Sequence, residues 1–176
     1  MGNDLMAYIQ KLELFGFFSG YCLIYTIISS LKNVNNGKGH TLIQKLFILL
    51  PYAYALTGTL YLGMIIKNIS LNYSSLNLNE QFHVPFLQIF ALLAVLFWVP
   101  FLSKKKILSL LHSLVFFFFM LKDIFIQLNL PQGREIIQTD MKVFTDSLLL
   151  NFITLMFVVL TYFFVSYFLR GKKSSS

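Results

Sequence analysis

The stretch 148–169 contains no charged side chain. A helix of about 20 apolar residues reaches across the hydrocarbon core of a bilayer. Four more long apolar runs lie in a chain of 176 residues, over about 14–31, 42–66, 84–102 and 107–128, the last interrupted by Lys122 and Asp123. The connectors between them are short and leave no room for a soluble domain. Charged residues make up 12% of the chain, half of the roughly 25% usual in a soluble domain. The expected fold is therefore all-α: a polytopic bundle of five transmembrane helices forming a single integral membrane domain over 1–176.

Charge placement predicts the orientation. Lys32, Lys38 and Lys45 flank the first connector, Lys104, Lys105 and Lys106 fill the third, and Arg170, Lys172 and Lys173 follow the fifth span. In a five-span chain these lie on one side, and the acids Asp4, Glu13, Glu80, Asp123, Glu135, Asp140 and Asp146 lie on the other. The positive-inside rule then places the N-terminus outside and the C-terminus inside. Because the basic residues flank membrane spans, the net charge of +7 argues for topology rather than for a nucleic-acid partner.

Two further features are expected outside or within spans. After Pro131-Gln132-Gly133, the residues Ile137, Met141, Phe144 and Leu148 recur at helical spacing. They predict an outer amphipathic segment over about 134–147, either lying in the interface or forming an early start of the fifth helix. Pro51, lacking an amide hydrogen, predicts a kink in the second span.

Small residues mark helix packing, because helices in lipid associate through close backbone approach. Gly16 and Gly20 in the first span form one such pair, and Ala55, Thr59 and Gly63 form a longer stripe in the second. Ionisable groups within a span are costly and are functional candidates. At about 100° per residue, Asp123 returns to within about 20° of the face of His112, though about 16 Å further along the axis. Ser109 and Gln127 flank the same face, and Asn151 and Thr154 of the fifth span can meet it. These residues are the candidate intramembrane polar or proton site: Ser109, His112, Asp123, Gln127, Asn151 and Thr154.

Signatures of other chemistry are missing. The lone Cys22 makes neither a disulfide nor a cysteine metal site. His40, His83 and His112 are too scattered to share a metal, and no phosphate-binding loop, nucleophile elbow or zinc-protease motif occurs. No catalytic residue, metal or cofactor is expected.

The leading expectation is a non-catalytic integral membrane subunit of a larger complex, scaffolding partner helices. Its partners would be the lipid bilayer and other membrane subunits, or further copies of itself. The alternatives are a small transporter or proton/ion-conducting protein using the polar face of the fourth helix, and an intramembrane enzyme of unknown type. The Phe-, Asn-, Lys- and Ile-rich composition suits a bacterial inner (cytoplasmic) membrane or an organelle inner membrane.

Overall fold

A computed structural model describes residues 12–34, 40–72, 86–128 and 133–173. Every regular element among them is helical, with no strand. The elements are α1 (12–18), α2 (Tyr21–Val34), α3 (His40–Asn72), α4 (Phe86–Leu92), a 3-10 helix (Leu93–Trp98), α5 (Pro100–Lys104), α6 (Lys106–Leu128) and α7 (Gly133–Lys173). The expected charge positions Lys38 and Glu80, and the histidine His83, lie outside the described residues.

Four helices are long and apolar enough to cross a membrane: Leu12–Lys32, Leu42–Asn68, Lys106–Ile126 and Gln138–Leu169. They correspond to the expected first, second, fourth and fifth runs. The third run, expected as one span over 84–102, is instead a shorter apolar helix, Phe86–Trp98, followed by a break. Pro100 accounts for the break. Its ring disfavours helical backbone in the preceding residue, and Val99 is extended, with φ −72° and ψ 124°. A new helix then begins with the proline in its first turn, where the missing donor costs nothing.

Pro51, by contrast, lies inside α3, and helix is continuous on both sides of it. The region 134–147 is not a separate element. It is the first part of α7, a helix of 41 residues, about 60 Å long and twice the hydrocarbon thickness. Of the expected apolar positions, Phe144 and Leu148 are half-buried against the core and Met141 is exposed, and the polar Asp140 and Ser147 are buried beside them.

α3 is the hub. It packs against α2, α7 and the 3-10 helix, while α6 packs against α2 and α7. Gly58 permits a close approach of α3 to the 3-10 helix, since a Cβ there would lie 2.8 Å from the Cβ of Ala94 and 3.0 Å from its backbone. Aromatic rings fill the centre. Phe18 stacks on Phe116 at 5.0 Å and meets Tyr54 and Tyr61 edge-on, and Tyr21 lies 4.3 Å from Tyr54.

The lysines establish which ends coincide. Lys32 and Lys106 both reach the ring of Phe47, at 4.5 and 4.3 Å. The end of α2, the start of α3 and the start of α6 therefore lie together. α3 leads away from that end, and the chain between Asn72 and Lys106 returns to it.

Candidate functional site

The first apolar helix is broken at Ser19 and Gly20, between α1 and α2. A break inside lipid exposes backbone groups that water cannot reach, each costing several kcal/mol if left unpaired. Side chains take them up here. Asn151 Nδ2 donates to the carbonyl of Phe17 at 2.8 Å, and Ser113 Oγ donates to that of Phe18 at 2.7 Å. Cys22 Sγ donates to the Ser19 carbonyl at 3.2 Å. The Gly20 amide donates out of its own helix to Ser147 Oγ at 2.9 Å. Gly20 has to be glycine for this geometry: a Cβ would lie 2.6 Å from the Leu148 backbone nitrogen.

Asn151 anchors the α7 side of this arrangement. Its amide also donates to the Ser147 carbonyl at 2.9 Å. Its Oδ1 lies 3.3 Å from the Thr57 hydroxyl, which is 3.2 Å from Thr154 Oγ1. Helices α1, α3 and α7 are thus joined through one buried amide.

A second cluster surrounds His112 on α6. Its Nε2 lies 2.7 Å from the carbonyl of Phe90, in α4 just before the 3-10 helix. A carbonyl only accepts, so Nε2 carries the proton. In the uncharged ring Nδ1 is then an acceptor, and it receives the Tyr54 hydroxyl at 2.6 Å. The imidazole also stacks on Phe90, with centroids 4.3 Å apart. One turn away, Tyr21 meets Ser109 at 2.9 Å, and Ser109 donates onward to the Lys106 carbonyl at 2.7 Å.

The residues expected from sequence separate into groups. Asn151 holds the break in the first span, and Thr154 beside it meets Thr57 of α3. His112 and Ser109 face α3, α4 and α2. Asp123 is half-buried further along α6 and takes part in none of these hydrogen bonds; the side chain of Gln127 lies outside the described residues. A direct proton exchange between His112 and Asp123 has no support in this geometry, because both ring nitrogens of His112 are engaged elsewhere. Tyr54 belongs to a second span whose tyrosines are expected from sequence to hydrogen-bond the polar face of the fourth helix, and it does so at His112; the partners Tyr21, Thr57, Ser113 and Ser147 are not among the expected site residues. They are hydroxyl-bearing residues within apolar runs, and only the Ser19-Gly20 pair, a known cause of helix kinks, signals in sequence where they are needed.

The packing residues divide likewise. Gly20 is in backbone contact with α7, and Gly16 has ordinary clearance, 3.7 Å to Val143. Ala55 is buried. Thr59 returns its hydroxyl to the Leu56 carbonyl at 2.7 Å. A Cβ on Gly63 would meet nothing within 4 Å among the described residues, and Gly63 is exposed.

Among the described residues, no group of three or more His, Cys, Asp or Glu side chains is placed to hold a metal ion. The polar interior is a set of closed hydrogen bonds that hold two interrupted helices in place. Comparison with family models, curated proteins and solved structures finds no match to this chain.

Proposed function

We propose that the protein is a non-catalytic integral membrane subunit of a larger complex, and that it presents the C-terminal half of α7 to partner helices. The observation that carries this reading is the uneven burial of the spanning helices. Only 17% of the apolar window of Gln138–Leu169 is buried inside the chain, against 56% for Leu12–Lys32 and 50% for Leu42–Asn68. From Leu160 to Leu169 every residue but the half-buried Ser166 is exposed, including Thr161, Tyr162 and Tyr167. Lipid covers apolar side chains well, but a helix carrying hydroxyls around its surface offers hydrogen bonds to a neighbouring helix. The exposed position of Gly63 supports the same reading. Purification from the native membrane in mild detergent, with mass measurement of the particle, tests it. A stoichiometric second subunit is expected; a lone 20.4 kDa chain or a pure homo-oligomer overturns it.

In this reading the chain crosses the membrane five times, with the interrupted segment 86–104 making the third crossing. Its six-residue 3-10 portion rises about 2 Å per residue and so lengthens a short segment. The convergence of Lys32 and Lys106 on Phe47 supports a return to the starting end. The positive-inside rule makes that end cytoplasmic and the N-terminus external, in a bacterial inner membrane. Alkaline phosphatase fused after Asn72 is expected to be active, and fused after Lys104 inactive.

Conduction through the polar interior is the second reading, favoured by the two interrupted helices, which in transporters often line binding sites. It requires proton flux in liposomes that Asp123→Asn or His112→Ala abolishes. The subunit reading expects no flux.

A further inference from the structure

We infer that the lysine-rich end of the bundle holds the phosphate of an anionic phospholipid between Lys32 and Lys106. The two ammonium groups come from helices far apart in sequence, yet both stand over the single ring of Phe47, at 4.5 and 4.3 Å. The ring face attracts each ammonium, while the two cations repel one another. No carboxylate offsets the repulsion. No acid occurs anywhere in 14–79 or 81–122, and neither lysine forms a salt bridge among the described residues.

The neighbouring lysines are placed in the same way. Lys45 lies over Phe163 at 5.9 Å and Lys105 over Phe101 at 5.0 Å. Four lysines, Lys32, Lys45, Lys105 and Lys106, thus stand over aromatic rings. α6 also begins here, and the positive end of its dipole adds to the potential. Tyr25, whose ring is 5.4 Å from that of Phe47, supplies a hydroxyl in the same neighbourhood. Paired basic side chains between helices at a membrane interface suit a phosphodiester with a net negative charge. At this level of a spanning bundle the abundant anion is the lipid headgroup, whose acyl chains lie along the exposed apolar side chains. The inference needs only that the protein is embedded in a bilayer, and it stands apart from the subunit reading.

The test is lipid binding by the purified full chain, followed by native mass spectrometry and by the thermal midpoint. Wild-type protein is expected to bind phosphatidylglycerol about tenfold or more tightly than phosphatidylcholine. Lys32→Gln with Lys106→Gln is expected to remove the preference. Lys32→Arg with Lys106→Arg, and Lys122→Gln on the far part of α6, are expected to keep it. Equal binding of the two lipids by the wild-type protein overturns the proposal without reliance on any variant, and so does a preference that survives the double glutamine change. Equal stabilisation by inorganic phosphate overturns the lipid as the source of the anion.

Discussion

The uncharged part of α7, residues 147–169, divides into two halves with opposite surroundings. In the first half, Ser147, Asn151 and Thr154 are buried, and two of them reach across to α1 and Gly20. In the second, Thr161 donates to the Phe157 carbonyl of its own helix at 2.8 Å and remains exposed. The difference shows what a polar residue in a spanning helix does when a neighbour needs it. Opposite an interrupted helix it becomes a backbone partner that fixes the fold. With no partner among the described residues other than its own helix, it stays exposed.

Substitutions can break this contrast at either half. Gly20→Leu has the largest expected effect, because the side chain meets the α7 backbone, which cannot yield. Overpacking of this kind costs about 3 kcal/mol or more, read as failure to purify as a folded monodisperse species. Asn151→Leu comes next. It leaves the Phe17 carbonyl without its donor in the apolar interior, with a loss of about 2 to 3 kcal/mol measured by unfolding in detergent; Asn151→Gln is not a rescue unless the longer amide regains both carbonyls.

His112→Phe sharpens the comparison with the second interruption. It preserves the stack on Phe90 but strands the Tyr54 hydroxyl, for an expected loss of about 1 to 2 kcal/mol. The smallest effect on stability belongs to the second half. Thr161→Val is expected to change stability by less than about 0.5 kcal/mol while weakening partner retention during purification. Gly63→Leu is expected to behave similarly, since nothing among the described residues stands within 4 Å of a Cβ there. Loss of folding in either variant would contradict the division between a structural half and a presenting half.

Much of the architecture was legible in the residues. Uncharged apolar runs reveal spans because length and hydropathy are local properties, and four of the five coincide with helices long enough to cross. Gly20, His112 and Asn151 stand out because a small or polar residue within lipid requires a reason. What stayed hidden depends on two elements at once. Gly58 is unremarkable until Ala94 is opposite it, and the stripe Ala55-Thr59-Gly63 has the right spacing yet runs from a buried end at Ala55 to an exposed one at Gly63. His112 and Asp123 share a helix face, but Tyr54 and Phe90 arrive from other elements and occupy the imidazole first. The interruption at Pro100 had its signal in sequence, in the restriction on the preceding residue; the 3-10 helix before it has no comparable local cause.

The central claim, that the exposed half of α7 is a partner surface, is tested most directly by a photo-crosslinking residue placed in the native membrane at position 164 and, as a control, at position 116. Phe164 is 65% exposed and Phe116 fully buried. The account predicts a discrete, stoichiometric protein adduct from position 164, lost when Thr161 and Ser166 are replaced by Val and Ala, and none from position 116. Crosslinks from position 164 to lipid alone would contradict it.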